Sequence, residues 1–454
     1  MSQYQVSRPK LTLAASALGF VLVLLDVSVV NVALEAFRTS FGAGVAGLQW
    51  VVNAYTLIFA ALLLTSGTLG DRFGAKPVFI CGFIVFMLSS LACGLAPDLP
   101  VLIVARVVQG AGAALLVPNS LSLIQQSFPD REARNRAVGW WGAAGGMALA
   151  AGPVVGGVLV THLGWRSVFF INLPIGMLGL ALISRYGRPS PVNTQRSLDW
   201  PGQVSAIIAL SALATALIEA GPLGWTDPLI LIALCVAFCS GISFLIIEAL
   251  SHAPMLPLSL FSTPPFAIAS FSGIVVNFAY YGLIFVLSLF FQWVQNLSPQ
   301  ETGLAFLPMT VVLMVMNIIA GRLITKLGAR RLMVFGQSLA AIGYLFLLPI
   351  SIGGSYWQLT IPMLLAASGI ALTVPTMTNL TLSSVEPSRA GLASGVLNSA
   401  RQVGGLLGVA ICGYLVGNAS PDTFVKGMHL SIGVAVAVLA LGALLSFVGL
   451  KREH

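Results

Sequence analysis

The chain has 454 residues, of which 57% are hydrophobic and only 8% are charged, and its formal net charge is +8. Soluble domains carry about 25% charged residues, so this chain has too few charges for a water-facing surface, and its apolar content excludes a disordered protein. Its long apolar runs do not alternate with polar residues, which disfavours a transmembrane β-barrel. The composition therefore predicts an all-α polytopic membrane protein.

Fourteen apolar segments are long enough to cross a bilayer, for which a helix needs about 20 residues. In chain order they are 11–34, 48–69, 77–96, 101–126, 137–161, 166–186, 202–221, 228–250, 266–293, 303–325, 332–352, 357–384, 391–417 and 428–449. A twelve-span alternative would leave 202–221 or 228–250 outside the membrane, although both are long and apolar. The first segment exceeds the core of a cleaved signal peptide and contains Asp26 and Asn31, so we expect it to remain as the first span.

The basic residues indicate the orientation, because the cytoplasmic loops of membrane proteins carry an excess of Lys and Arg. With the N-terminus in the cytoplasm, 17 of the 22 basic residues lie on the cytoplasmic side, and Arg38, Arg166 and Lys426 lie on the outer side. Arg106 and Arg401 fall within spans. Both termini are therefore predicted to be cytoplasmic. The positive net charge follows from loops that face anionic lipid headgroups of the bilayer, and no nucleic-acid partner is expected.

Two cytoplasmic loops, at 67–76 and 321–330, repeat the pattern Gly-x-Leu-x-x-basic-apolar-Gly-Ala-basic, and residues 112–118 resemble 369–375 at nearly the same offset. Parallel repeats build one large class of transporters, whose substrate site lies between the halves near the midplane of the membrane. We therefore predict two six-helix bundles with two inserted spans. The boundaries are a cytoplasmic N-terminus at 1–10, a first bundle at 11–186, a linker with the two extra spans at 187–265, a second bundle at 266–450 and a cytoplasmic C-terminus at 451–454.

Five motifs follow one another along the chain in the order in which one family of membrane transporters has them. They are residues 25–34 on the first span, the loop 67–76, Arg106-x-x-Gln109-Gly110 on the fourth span, Gly152-Pro153-x-x-Gly156-Gly157 on the fifth, and residues 164–166 with 170–176 around the start of the sixth. Together they resemble the major facilitator superfamily, and within it the fourteen-span drug:proton antiporters. Ala148 departs from the fifth-span motif, which usually begins with Gly. The resemblance implies a bacterial inner-membrane protein that functions as a monomer and uses protons as its coupling ion, without a cofactor.

Asp26 and Arg106 are the predicted proton-coupling residues, because ionisable side chains inside a bilayer are costly and usually functional. With a helical rise of 1.5 Å per residue, Asp26 lies roughly 22 Å and Arg106 roughly 21 Å from the cytoplasmic face of a bilayer core about 30 Å thick. The two side chains therefore reach the same level, and the resemblance implies that their helices are neighbours. We expect Asp26 to bind the proton and Arg106 to tune its affinity; the alternative is a static buried ion pair.

The loop between the second and third spans is interpreted as a cytoplasmic gate, mostly because of the resemblance. Asp71 would close the gate by pairing with Arg134 or Arg136, or by facing the positive N-terminal end of the thirteenth span. Three glycines of the loop would allow a tight turn. The alternative is a loop whose charges only hold it at the membrane surface. The gating set is Gly67, Gly70, Asp71, Arg72, Gly74, Lys76, Arg134, Arg136 and Lys326.

The fifth span contains the antiporter-type stretch Gly152, Pro153, Gly156 and Gly157. Small residues let helices approach closely within a membrane, and Pro153 can kink the helix. The stretch could serve helix packing alone, or it could form a tight seam with a helix of the second half that prevents leakage during exchange.

Aromatic, Met and amide side chains on the spans are candidate contacts for a large apolar ligand, although such residues also face lipid or lock helices together. Arg401 has no acidic residue in the second half with which it can obviously pair, so it would contact an anionic or carbonyl-bearing substrate or extend towards the cytoplasmic face. The candidate substrate contacts are Asn31, Gln109, Trp140, Trp141, Met147, Asn277, Tyr280, Tyr281, Phe285, Met314, Asn317 and Arg401.

The sequence has no nucleotide-binding loop, no catalytic Ser/His/Asp set and no metal-ligand spacing among its five cysteines and four histidines, so we expect neither an enzyme nor a metal site. The preferred function is proton-coupled export of hydrophobic compounds by alternating access, as in multidrug efflux and antibiotic resistance. Asp26 is the only acid deep in a span, which favours neutral or monovalent cationic substrates, whereas Glu219 and Glu248 are expected at the membrane interface. The alternatives are a dedicated exporter of a single metabolite or antibiotic, a non-transporting receptor or sensor on the same fold, and proton-coupled uptake.

Overall fold

The computed structural model describes residues 8–189, 192, 198–251, 253–351, 353–386, 389–417 and 421–450, and all the regular secondary structure within them is helical. The predicted C-terminus 451–454, residues 1–7 of the predicted N-terminus and Arg196 of the linker lie outside the described residues. The prediction of an all-α protein is confirmed for the described part of the chain.

The first half of the chain forms eight helices, two of which begin at an acidic cap. The Asp98 and Asp130 side chains accept hydrogen bonds from Val101 N and Ala133 N, which satisfies a free backbone donor at each helix start. The helices are α1 (Pro9–Val32), α2 (Leu34–Phe41), α3 (Val45–Phe73), α4 (Ala75–Leu95), α5 (Leu99–Ser127), α6 (Arg131–Leu163), α7 (Ser167–Phe170) and α8 (Asn172–Tyr186).

The inserted pair and the second half follow as a further eight α-helices. They are α9 (Trp200–Leu223), α10 (Pro228–Leu250), α11 (Pro264–Leu289), α12 (Pro299–Leu327), α13 (Ala329–Leu345), α14 (Tyr356–Ser383), α15 (Ala390–Val416) and α16 (Pro421–Gly449). A short 3-10 turn, Leu258–Ser262, precedes α11, and a π-helical turn, Phe290–Val294, continues it. α12 begins with a reciprocal cap between Ser298 and Glu301.

Thirteen helices in the described residues are long and apolar enough to cross a membrane. The predicted span 332–352 corresponds to α13, which has 17 residues and ends at Leu345. The predicted end at 352 is wrong, because Pro349 follows closely and helices usually end before a proline. The finer prediction of fourteen spans therefore depends on how α13 is counted.

The helices pack into two groups that meet along two helix pairs. In the first half α1 packs on α6, and α5 packs on α3 and α4; in the second half α11 packs on α15, and α14 packs on α12 and α13. The halves meet where α6 contacts α12 and where α3 contacts α15. The inserted helix α9 packs against both α3 and α15, and α10 packs on α9. The inserted pair therefore lies on the outside of the α3–α15 junction.

Candidate functional site

Asp26 and Arg106 form an ion pair inside the first half, between Asp26 Oδ2 and Arg106 Nη1. Asp26 lies on α1 and Arg106 on α5, and both side chains are at most 1% exposed. The structure thus brings together the two side chains that the helical rise placed at the same depth. A buried ion pair is tolerated only when further hydrogen bonds satisfy its remaining atoms.

Three uncharged polar side chains supply those hydrogen bonds around the carboxylate. Gln109 Nε2 and Asn172 Nδ2 both donate to Asp26 Oδ1, at 2.9 and 3.0 Å. Both amides also donate to Ser90 Oγ, at 2.7 and 3.2 Å. With Arg106 included, three side chains donate to Asp26, and such charge-assisted hydrogen bonds stabilise its negative charge. All five side chains are buried; we call them the Asp26 network.

The guanidinium of Arg106 is held on its other sides by α3 and by Gln109. Arg106 Nε donates to Val51 O at 3.0 Å, and Nη1 donates to Gln109 Oε1 at 2.7 Å. The guanidinium carbon lies 4.3 Å from the centroid of the Tyr55 ring, a cation–π geometry. The Asp26 network and its α3 contacts therefore connect five helices, α1, α3, α4, α5 and α8.

Part of this site was missed at the sequence level. Gln109 was a candidate substrate contact, and the structure places it, fully buried, between Asp26 and Arg106. Asn172, Ser90 and Tyr55 were not singled out as site residues. Asn172 could have been found, because its amide stands in an apolar span within the motif 170–176. Ser90 carries no comparable signal, because serines are common in membrane helices.

The loop predicted as a gate is mostly helical. α3 continues to Phe73, so Gly67 and Gly70 lie within the helix and the turn is made by Gly74, whose φ is +92°. The expectation that all three glycines form the turn is wrong, because Gly70 instead faces Asn119 of α5, where a Cβ would overlap the side-chain amide.

The charged residues of the predicted gate make local contacts at this end of the molecule. Lys76 Nζ donates to Ser184 O at 3.0 Å and to Gly187 O at 2.8 Å, which ties the start of α4 to the carbonyls at the end of α8. Arg136 forms an exposed ion pair with Glu132 of its own helix at 2.9 Å. Asp71 and Lys326 are exposed, and Arg72 and Arg134 are half-buried. A gating role for these residues stays a prediction.

The antiporter-type stretch on α6 faces two neighbours at once. Cβ atoms added at Gly152 and Gly156 would overlap Ser28 and Val29 of α1, so these glycines allow close packing within the first half. A Cβ at Gly157 would lie 2.5 Å from Pro299 O and 2.9 Å from Gln300 Cα of α12. Gly152 and Gly156 therefore serve packing within the first half, whereas Gly157 lies at a seam with the second half. Each of the two interpretations thus applies to different residues of the stretch.

Residues of α12 also pack closely against α6 at this seam. A Cβ at Gly303 of α12 would overlap the carbonyl of Pro153, and Gln300 N donates to Thr161 Oγ1 at 3.2 Å. At the far ends of the same helices, a Cβ at Gly142 of α6 or Gly321 of α12 would meet no heavy atom within 4 Å. The close contacts between the two helices therefore lie at the end that contains Gly157 and Gly303.

Two further contacts join the halves at the end where α6 and α12 touch. Gln49 Nε2 of α3 donates to Val409 O and Ala410 O of α15 at 2.9 and 2.7 Å. Gln292 Nε2 donates to Val32 O, the last residue of α1, at 3.1 Å. We call this the sealed end; α1 begins and α16 ends at the opposite end, the terminal end of the bundle.

The predicted substrate contacts do not share one environment. Asn31 and Asn277 donate to carbonyls one turn earlier on their own helices, at 2.8 Å each. Trp141 stacks on Phe20 with 3.9 Å between ring centroids and donates to Ser120 Oγ. The buried members are Asn31, Gln109, Asn277, Tyr280 and Phe285; the half-buried members are Trp141, Tyr281 and Arg401; the exposed members are Trp140, Met147, Met314 and Asn317.

Arg401 makes one weak polar contact, from Nη1 to Asn398 Oδ1 at 3.4 Å, and its Nε is buried without a partner.

Glu219 accepts a hydrogen bond from Trp50 Nε1 at 2.7 Å. Glu248, expected at the interface, lies at the end of α10 but is only 3% exposed, because the segment after α10 folds over it. In the described part of the chain, no group of three or more His, Cys, Asp or Glu side chains could hold a metal ion.

Comparison with known families and curated proteins gives a consistent result. The family model of the Major Facilitator Superfamily matches residues 16–409. The chain is 38% identical to a methylenomycin A resistance protein of Streptomyces coelicolor, over 95% of this chain and 91% of that protein. It is 36% identical to the multidrug resistance protein Stp of Mycobacterium tuberculosis, over 89% and 75%. It is 33% identical to a tetracenomycin C resistance and export protein of Streptomyces glaucescens, over 92% and 78%.

Solved structures show the same fold. A D-xylose-proton symporter superposes with a TM-score of 0.71 at 17% identity, covering 97% of each chain. A bacterial homologue of the lysosomal transporter Spinster, in an inward-facing and occupied conformation, gives a TM-score of 0.67 at 17% identity, covering 98% of this chain and 97% of that one. The fold and the relatives indicate a multi-pass membrane transporter rather than an enzyme, with drug and antibiotic resistance proteins among its relatives.

Proposed function

The chain belongs to the Major Facilitator Superfamily, and we propose that it exports hydrophobic, neutral or monovalent cationic compounds in exchange for protons. In this proposal it is a bacterial inner-membrane protein that functions as a monomer, with fourteen spans, α13 included, and both termini in the cytoplasm. The resistance and efflux proteins among its relatives support export. The proton is the only coupling ion that the proposal requires.

The Asp26 network carries the proton-coupling part of the proposal. A proton on Asp26 would cancel the charge that Arg106 binds and would change which atoms Gln109 and Asn172 can donate to. Because these partners stand on α5 and α8, protonation of a residue on α1 is coupled to the packing of the first half. A static ion pair would need no such connection to five helices.

The sealed end supports alternating access. If the terminal end is cytoplasmic, the sealed end faces the outside. A substrate would enter from the terminal end, and proton binding and release at Asp26 would accompany the opening of the sealed end. Seams such as that at Gly157 would prevent leakage while the halves exchange positions.

The test compares Asp26→Asn with Asp227→Asn in an efflux-deficient host and in everted membrane vesicles. Asp227 caps the inserted helix α10 through Leu229 N and is not part of the Asp26 network, so its loss controls for removing an acid. We expect Asp26→Asn to abolish export driven by a pH gradient while the protein still folds and inserts, and Asp227→Asn to retain export. Full pH-driven export by Asp26→Asn would refute proton coupling at this residue.

A dedicated exporter of a single antibiotic is the second candidate, because two of the relatives above are named for resistance to one compound each. A susceptibility panel of structurally unrelated compounds separates the two functions. Protection against several classes supports the multidrug function, and protection against one compound supports the dedicated exporter. Protection that does not depend on Asp26 would contradict both as proton-coupled functions.

A further inference from the structure

The inserted helices carry a pair of carboxyl groups that the transport mechanism does not use. Asp199 caps the start of α9 and Glu248 lies in the last turn of α10, and both belong to the terminal end of the bundle. Each carboxyl has one oxygen bound by a backbone amide. Gly202 N donates to Asp199 Oδ1 and Leu256 N donates to Glu248 Oε2, both at 2.9 Å.

The two remaining carboxyl oxygens face each other across Gly202. Asp199 Oδ2 and Glu248 Oε1 are both buried without a hydrogen-bond partner. Each lies 2.8 Å from the position that a Cβ on Gly202 would occupy, so they are within twice that distance of each other. The Glu248 side chain is only 3% exposed. Two unpartnered acceptors therefore lie beside the same point on Gly202, although Asp199 as a whole is half-buried.

No described cation balances these groups. Asp199 is the charged side chain that acts on Glu248 within the described residues. On the α3 side, Thr65 lies against Met255 and donates to Gln203 Oε1, while Gln203 Nε2 donates to Ala61 O. These uncharged groups are engaged with one another. Two ionised carboxylates would repel each other there and would both lose hydration, whereas one proton between them converts the repulsion into a hydrogen bond.

We propose that Asp199 and Glu248 share one bound proton, and so form a proton-binding site at the base of the α9–α10 hairpin that is separate from Asp26. The donor set fits a proton rather than a hard metal cation, because Ca²⁺ or Mg²⁺ takes about six or more oxygen ligands, whereas two unpartnered side-chain oxygens of the described residues converge here. The shared proton joins the start of α9 to the segment after α10, through Leu256. This inference does not depend on what the protein transports.

Infrared difference spectroscopy of the purified full chain at neutral pH tests the proposal. Wild type minus Glu248→Gln, and wild type minus Asp199→Asn, should each show the loss of one protonated-carboxyl stretch per molecule. An amide at either position removes the shared proton, so either variant suffices if the other does not fold. The matched control is Asp227→Asn, which caps the other helix of the hairpin through Leu229 N and should lose only an ionised-carboxylate signal.

A second measurement uses stability against pH. The folded pair holds a proton that the unfolded carboxyls release, so the wild type should lose thermal stability relative to Glu248→Gln as the pH rises. If both variants lose only ionised-carboxylate bands, the pair is charged and the proposal is overturned. A protonated-carboxyl band that disappears when sodium or potassium is added at constant pH would assign a metal cation to the pair and would also overturn it.

Discussion

Replacing Gly157 with alanine should open the sealed end of the protein. The added Cβ would lie 2.5 Å from Pro299 O and 2.9 Å from Gln300 Cα. These are backbone atoms at the start of α12, so they cannot move aside by rotating a side chain. α6 and α12 must therefore separate locally. Overpacking of this kind costs about 1–3 kcal/mol, and the cost falls only on the conformation in which the seam is closed.

The size of the shift towards the open seam follows from the free-energy cost that the added methyl group places on the closed seam alone. A cost of about 1–3 kcal/mol shifts the balance between closed and open seams by about 5- to 150-fold, since about 1.4 kcal/mol corresponds to a factor of ten. Gly146→Ala is the matched control, because it lies on the same helix and a Cβ there meets no heavy atom within 4 Å. Both variants gain the same helix propensity, so the difference between them isolates the seam.

Cysteine accessibility measures this shift. Thr302, on the first turn of α12, is fully buried in the structure, so Thr302→Cys in a background without other cysteines reports opening of the sealed end. A membrane-impermeant maleimide should label this cysteine at least fivefold faster with Gly157→Ala than with Gly146→Ala. Equal labelling rates in the two variants would show that the contact at Gly157 does not hold the end closed.

Two further substitutions test the contacts that surround the site. Arg106→Lys should abolish pH-driven export and lower the free energy of unfolding by about 1–3 kcal/mol, because an ammonium group cannot reach Asp26, Gln109 and Val51 O together. Wild-type export and a wild-type melting temperature in this variant would contradict the geometry of the Asp26 network. Lys76→Met should destabilise the end of α8 by about 0.3–1 kcal/mol, seen as faster amide hydrogen exchange near Gly187, and unchanged exchange would show that the lysine contributes nothing there.

The sequence was sufficient for the features that depend on distance along a helix. The common depth of Asp26 and Arg106 follows from the rise per residue, and the presence of thirteen of the predicted spans follows from apolar length. It was insufficient for features that depend on which face of a helix meets which neighbour. Gln109 was predicted as a substrate contact, and that stays a prediction; its hydrogen bond from α5 to Asp26 on α1 could not be derived from the sequence.

The same limit explains the errors around glycine and proline. Gly70 was expected in a turn because glycine favours turns, yet α3 continues through it, and the glycine leaves room for the side-chain amide of Asn119 on α5. The end of α13 was placed too late because the apolar pattern continues past Leu345 into Pro349. In both cases a local propensity was outweighed by a contact or a backbone restriction that the hydropathy of the segment does not report.

The two intramembrane arginines show that the halves of the chain, although related by a repeat, are not equivalent. Arg106 donates to Asp26, Gln109 and Val51 O, so its charge is balanced within the first half. Arg401 has a buried Nε without a partner and one contact of 3.4 Å to Asn398. The second half offers no carboxylate at membrane depth, because its three acids, Glu301, Glu386 and Asp422, all lie at helix ends or between helices. A guanidinium cannot lose its proton, so Arg401 keeps its charge with one buried donor, Nε, unpartnered. Among the described residues, the acid at membrane depth thus lies in the first half, whereas the second half contributes a fixed positive charge, so in the proposed exchange the proton would bind on the side of Asp26.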